Sequence, residues 1–154
     1  MSIKVGKKLP NFKILADNGK IITPKDFLDK NMIIYFYPKD NTPGCTKQAC
    51  AFKDKKNQFS KKNTIIIGIS KDSIDKHEKF KKKYNLNFIL ASDENTKICE
   101  KFDVWKEKSM YGKKYMGIER STFLIDSKGI VRKEWRKVKV TNHVEDVLSA
   151  VNEL

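Results

Sequence analysis

Cys45 and Cys50 stand five positions apart in the segment Pro38-Lys-Asp-Asn-Thr42-Pro43-Gly44-Cys45-Thr46-Lys47-Gln48-Ala49-Cys50. Two thiols so close in sequence could cycle between a reduced pair and a disulfide. Thr42-Pro43 fits an N-cap followed by proline at the first helical position, which puts Cys45 in the first turn. There the unpaired backbone N–H groups and the positive end of the helix dipole favour an anion, so a cysteine tends toward its reactive thiolate form. The spacing adds a constraint. Residues i and i+5 of an ideal helix lie about 8 to 9 Å apart at Cα and point about 140° away from each other, whereas a disulfide needs about 4.4 to 6.8 Å. If the two cysteines pair, the first helical turns must unwind. This separates the chain from Cys-x-x-Cys oxidoreductases, whose sulfurs are placed to bond without melting.

The pattern Pro38-x-x-x-Thr42-x-x-Cys45 resembles the active-site signature of the peroxiredoxins, and Cys50 five residues on is similar to the arrangement in the peroxiredoxin Q, or bacterioferritin comigratory protein, group. The resemblance covers nearly the whole chain. It continues through Gly68-Ile-Ser-Lys-Asp72-Ser73, His77-Glu-Lys-Phe80-x-x-Lys83-Tyr84-x-Leu86-x-Phe88, Ser92-Asp93 and Val104-Trp105-Lys106-Glu107-Lys108. It ends in Tyr111-Gly112 and Gly117-Ile118-Glu119-Arg120-Ser121-Thr122-Phe123.

The resemblance implies a thiol-dependent peroxidase of antioxidant defence that reduces hydrogen peroxide and organic hydroperoxides. Cys45 would be the peroxidatic nucleophile and Cys50 the resolving thiol that converts its sulfenic acid into an intramolecular disulfide. Thioredoxin would be the reductant. Arg120 matches the family's active-site cation, whose forked donors suit a thiolate and peroxide oxygens together. Thr42 would accept a proton from the peroxide and orient it, and Pro38 would shield the pocket from water. Gln48 stands where related peroxiredoxins often have a glutamate that braces the arginine, a role its amide could fill only through the oxygen.

Each residue also has a plainer reading. Cys45 could be a small hydrophobe on a core-facing stripe, Arg120 a surface partner of Glu119, Thr42 a helix cap only, and Gln48 a solvent-exposed side chain. Cys99 is read as packing in a short helix, and His77 as a helix-edge histidine on the stripe of Ile74 and Tyr84. No cysteine, histidine or carboxylate cluster has metal-site spacing. Haem and flavin are equally unsupported, so the cysteine pair itself is expected to be the redox group.

These residues need a scaffold, and the element order suggests one. Phe12–Leu15, the turn at Asp17-Asn18-Gly19, and Lys20–Thr23 read as an N-terminal hairpin. Met32–Tyr37 and Thr64–Ser70 read as buried strands on either side of a helix from about 43 to 59, whose Cys45, Ala49, Phe52 and Phe59 share one stripe. A helix from Ser73 to Tyr84, with Ile74, Phe80 and Tyr84 inward, leads to a strand at Phe88–Ala91. This alternation predicts parallel βαβ units. A short helix near 95 to 102 precedes Asp103–Ile118, read as an irregular functional loop. A second hairpin, Thr122–Asp126 with Ile130–Val138, and a final helix from about Asn142 complete the chain. The expectation is an α/β chain with a mixed central β-sheet flanked by helices and an N-terminal β-hairpin, consistent with the thioredoxin-like fold the resemblance implies. Residues 1–154 are expected to form a single domain acting as a monomer.

Composition bounds the partners. The net charge is +14, which invites a nucleic-acid reading. Yet of the 33 basic residues only Arg120, Arg132 and Arg136 are arginines, and the lysines are scattered rather than striped with aromatics. No specific nucleic-acid partner is expected. No apolar run approaches a membrane span, and Met1-Ser-Ile-Lys-Val-Gly-Lys-Lys lacks a signal-peptide core, so a cytoplasmic enzyme with no membrane partner is expected. Two other functions remain open at this level. One is a general thiol–disulfide oxidoreductase on the same fold; the other is a redox sensor or lysine-rich DNA-binding protein with a cysteine switch.

Overall fold

The computed structural model describes residues 3–154. The chain opens with β1 (Ile14–Ala16) and β2 (Ile21–Ile22), a short antiparallel hairpin closed by the turn at Gly19, whose φ is +80°. A single 3₁₀ turn at Pro24–Phe27 leads into β3 (Asn31–Phe36), followed by α1 (Pro43–Lys61), β4 (Thr64–Ser70), α2 (Ile74–Tyr84) and β5 (Ile89–Ser92). Next come α3 (Lys97–Lys101), β6 (Trp105–Met110), β7 (Lys113–Ile118), β8 (Ser121–Ile125), β9 (Val131–Trp135) and α4 (His143–Asn152).

Seven strands form one sheet in the order β2-β1-β5-β4-β3-β8-β9. β3, β4 and β5 are parallel, joined through α1 and α2 as successive βαβ units. β1 runs antiparallel to β5, and β8 and β9 extend the other side antiparallel. This is a thioredoxin-like mixed sheet flanked by helices.

The near-continuous apolar run of β3 is explained by its central place, because a strand covered on both faces needs no polar side. Its side chains alternate between two cores. Ile34 and Phe36 pack with Ile67, Ile69, Phe102 and Phe123 on one face of the sheet. Ile33, Tyr35 and Tyr37 pack with Phe52, Phe59, Phe80 and Val147 on the other, beneath α1, α2 and α4. Tyr35 and Phe52 stack with ring centroids 4.6 Å apart, which seats the middle of α1 directly on the central strand.

One expected element differs. Asp103–Ile118 is not an irregular loop: most of it forms the β6–β7 ribbon, closed by Tyr111-Gly112 with φ of +53° and +77°. Two successive positive φ values make the tight turn whose twist suits a hairpin. The strands are polar and largely exposed, with Met110, Tyr111, Tyr115 and Met116 all open to solvent. They lack the alternation of a half-buried strand, so periodicity could not reveal them.

Candidate active site

The site lies where β3 hands the chain to α1. Thr42 is the N-cap residue in extended conformation and Pro43 opens the helix, as the sequence suggests. The capping hydrogen bond does not form, however. Thr42 Oγ1 donates to the Lys39 carbonyl at 2.9 Å instead, and the helix receives no side-chain cap. The turn at Lys39–Thr42 brings that carbonyl within reach, so the hydroxyl proton is taken locally while the oxygen keeps lone pairs with which to accept. Pro38 is half-buried at the start of the turn.

Cys45 is 2% exposed, in the first turn of α1, where backbone N–H groups have no helical acceptor. Arg120 meets it from far along the chain. β3 and β8 pair with Phe36 opposite Ser121, so the residue before β8 stands beside the end of β3, from which the chain turns into α1. From there Arg120 Nη2 donates to Cys45 Sγ at 3.3 Å and Nη1 to Gln48 Oε1 at 2.6 Å. The fixed charge of the guanidinium therefore lies against the sulfur. Gly44 leaves room for it, since a Cβ there would sit 3.3 Å from Arg120 Nη2. The alternative pairing of Arg120 with Glu119 is not made; the guanidinium bonds to Cys45 and Gln48.

Gln48 is fully buried, which corrects the solvent-exposed alternative. It is i+3 from Cys45 and shares its helix face. Its Oε1 braces Arg120, while Nε2 is buried without a hydrogen-bond partner among the described residues. Leaving such a donor unpaired costs about 1–3 kcal/mol, so the brace is kept at the expense of helix stability.

Cys50 is half-buried on the same unbroken helix, and both cysteines are free thiols. Continuity of α1 through both positions holds the sulfurs apart in the reduced protein. Cys99 stays outside the site: it is fully buried in α3, and burial together with the Asp93 carboxylate pushes its thiol far up from the ordinary range. Asp93 accepts the backbone N–H groups of Ile98 and Cys99, which fixes α3 in place.

Two features escaped sequence reasoning. His77 is not a helix-edge residue; it is fully buried, with Nδ1 2.6 Å from Asp40 Oδ2 and Nε2 2.8 Å from the Ala91 carbonyl. Its place on the inward stripe with Phe80 was the available signal, but the partner, 37 residues earlier, was not visible locally. Lys108 is the second. This half-buried β6 residue lays its stem over Gly117. Burial lowers its pKa and the charge of Arg120 adds to this, while Cys45 and Glu119 pull the other way, so the ammonium shares the field of the site. Among the described residues no cluster of three or more histidine, cysteine or acidic side chains is placed to hold a metal. No helix among them is long and apolar enough to cross a membrane.

With this geometry in hand, similarity to known proteins is informative. Residues 5–134 match the AhpC/TSA family. Peroxiredoxin Bcp of Bacillus subtilis (strain 168) is 49% identical over 154 residues, covering 100% of this chain and 98% of the relative. A putative peroxiredoxin bcp of Coxiella burnetii (strain RSA 493 / Nine Mile phase I) is 51% identical over 148 residues, 96% of this chain and 98% of the relative. The crystal structure of a Xylella fastidiosa PrxQ mutant superposes with a TM-score of 0.93 at 36% identity, covering 99% of this chain and 98% of the other. The Xanthomonas campestris bacterioferritin comigratory protein, studied for its alkyl peroxide reduction activity, gives a TM-score of 0.88 at 42% identity over 92% of this chain and 90% of the other.

Proposed function

The chain belongs to the AhpC/TSA family, in its peroxiredoxin Q or bacterioferritin comigratory protein group, and is a peroxidase; from that premise we propose that Cys45 is its peroxidatic nucleophile and Cys50 its resolving thiol. The Cys45 thiolate attacks one oxygen of hydrogen peroxide or an organic hydroperoxide. As the S–O bond forms the O–O bond breaks, the sulfur is oxidised to a sulfenic acid, and the other oxygen leaves as hydroxide or alkoxide and takes up a proton. Negative charge is present on the nucleophile and develops on the leaving oxygen. The Arg120 guanidinium and the free N–H groups of the first turn of α1 stabilise both. Thr42 Oγ1 accepts a hydrogen bond from the peroxide O–H and orients the substrate, and Pro38 keeps water from the sulfur.

Cys50 then attacks the Cys45 sulfenic sulfur, hydroxide leaves as water, and a disulfide forms. The first turns of α1 unwind to let the sulfurs meet. A dithiol reductant of the thioredoxin type restores both thiols by exchange at the exposed, locally unfolded disulfide. The enzyme acts as a cytoplasmic monomer of one domain. The observation that carries this reading is the forked contact of Arg120, one arm on the Cys45 sulfur and the other on Gln48.

Non-reducing peptide mapping after one equivalent of hydrogen peroxide is added to the reduced protein tests it. A Cys45–Cys50 link is expected. A Cys45 sulfenic acid with Cys50 free would leave a one-cysteine mechanism, and no oxidation at Cys45 would remove the nucleophile assignment.

A further inference from the structure

Asp40 lies in the turn between Pro38 and Thr42 and is 8% exposed, deep for a carboxylate in a connecting segment. Its partners come from three directions. Tyr37 Oη donates to Oδ1 at 2.5 Å, and His77 Nδ1 approaches Oδ2 at 2.6 Å. The Asp40 backbone N–H donates to Asp72 Oδ2 at 2.7 Å, and Asp72 is in turn held by the Ser70 hydroxyl at 2.9 Å. The two acceptors on His77, a carboxylate and the Ala91 carbonyl, require both ring nitrogens to donate. His77 is thus an imidazolium in a buried ion pair, tying the turn to α2 and β5 together.

Beyond Asp40 the attachments weaken. Asn41 is exposed, and its Oδ1 receives only the hydroxyl of the half-buried Tyr84 at 3.1 Å and exposed Lys83 at 3.3 Å. Pro43 and Lys47 are exposed, and Gly44 and Thr46 are half-buried. The first turns of α1 are held by packing of Cys45 and Ala49 into the core and by Arg120 on Cys45 and Gln48, contacts at the sulfur that must break when it is oxidised and swings toward Cys50.

We propose that the Asp40–His77 pair is the fixed end of the segment that unfolds, holding Tyr37 to Asp40 in place while residues 41–50 rearrange. This rests on the reading of Cys45 and Cys50 as a disulfide-forming pair. Both are positioning residues: neither touches the sulfur. Their effect is that Pro38 and the Lys39 carbonyl that receives Thr42 keep their positions through the cycle, so reduction rebuilds the same pocket. Without the anchor, unwinding would run back toward β3, and the reduced enzyme would spend more time with Cys45 withdrawn from Arg120.

The test is amide exchange followed by NMR on the full chain, reduced and after one equivalent of peroxide, with disulfide status checked by peptide mapping. In the oxidised wild type the Thr46 and Lys47 amides are expected to lose protection while the Asp40 amide keeps it. In His77→Asn the Asp40 amide should lose protection as well, in both redox states. Oxidation of Cys45 by peroxide should slow about tenfold, with reduction of the disulfide unchanged or faster. Val147→Ala, which weakens the core beneath α4, serves as the control: it should lower the melting temperature without moving the exchange boundary. If His77→Asn fails to fold, Asp40→Asn offers a milder version of the same comparison. Loss of Asp40 protection in the oxidised wild type, or an unmoved boundary in the variants, overturns the proposal. If mapping finds no Cys45–Cys50 link, the disulfide reading fails separately. The anchor is then judged on the reduced enzyme alone, where Asp40 must still exchange more slowly than Thr46 and Lys47 for it to stand.

Discussion

Arg120 and Cys45, 75 positions apart in sequence, meet at 3.3 Å between Nη2 and Sγ, and the second arm of the guanidinium is held by Gln48. The charge beside the sulfur is therefore oriented by the same helix that carries the sulfur. Melting of that helix would release the cysteine and the brace of the arginine together.

Removing the cation should cost most of the rate. Arg120→Ala is expected to slow oxidation of Cys45 by hydrogen peroxide about 10²- to 10³-fold, the scale of losing an oriented donor at a site of developing charge. Arg120→Lys should recover only part of this, because one ammonium cannot span the sulfur and Gln48 as the fork does. Stopped-flow oxidation of the reduced protein measures both, and a lysine variant as fast as wild type would contradict the forked role.

Gln48 offers a finer test. Gln48→Glu keeps an oxygen facing Arg120 and should retain peroxidase activity within about tenfold. Gln48→Leu removes the acceptor and leaves a guanidinium donor unpaired, at about 1–3 kcal/mol, but it also removes the unpaired buried Nε2, which offsets a similar amount, so stability should change little while kcat/KM for peroxide falls. Comparing kcat/KM for peroxide with thermal stability in both variants separates loss of the brace from loss of the fold.

Gly68 lies opposite Tyr35 in the parallel β3–β4 pair. A Cβ at this position would come within 2.8 Å of the buried Tyr35 ring. The ring is stacked on Phe52 and can move only by disturbing that stack, so Gly68→Ala should destabilise the protein by about 1–3 kcal/mol, the usual cost of overpacking a core. Chemical denaturation would read this directly, and a neutral result would show that the Tyr35–Phe52 stack can shift.

The pKa values of the two histidines should be shifted in opposite directions. For His143, burial lowers the pKa to about 4, Arg120 adding to the effect and Asp146 opposing it, while its Nε2 is bonded to the Thr122 hydroxyl at 2.8 Å. The folded state then binds a proton less readily than the unfolded chain. Stability should fall as pH drops from about 6.5 toward 4, by on the order of 3 kcal/mol for this group. For His77, burial pulls the pKa down, but the hydrogen bond and charge of Asp40, with the Ala91 carbonyl and Asp72, outweigh it and the net shift is upward. Its contribution is full below the unfolded value of about 6.5 and is lost as pH rises through the folded pKa. NMR titration of the ring protons, with melts of His143→Gln against wild type from pH 4 to 8, checks both signs.

Cys99 should stay silent. Its buried thiol is pushed up by burial and Asp93, so brief alkylation of the native reduced protein at neutral pH should modify Cys45 and Cys50 and spare Cys99. Cys99→Ala should leave peroxide turnover unchanged. Labelling of Cys99 at a comparable rate would mean that α3 opens readily.

Local chemistry in the sequence was enough for the strands of the parallel sheet, the start of α1 at Thr42-Pro43, and the core stripe of Cys45, Ala49, Phe52 and Phe59, because apolar periodicity and helix-start residues act between near neighbours. It also determined that Cys45 and Cys50 share a helix and cannot bond while it is intact. The β6–β7 ribbon was illegible because its strands carry no alternating apolar face, burying fully only Ile118. Only the tertiary structure decided that Gln48 turns inward to hold Arg120, that the Thr42 hydroxyl goes to Lys39, and that Asp40 and His77 pair across 37 residues. The Arg120 and His77 contacts depend on strand register and on which helices cover one face of the sheet. Both are set by packing the whole chain, and no short window of sequence contains them.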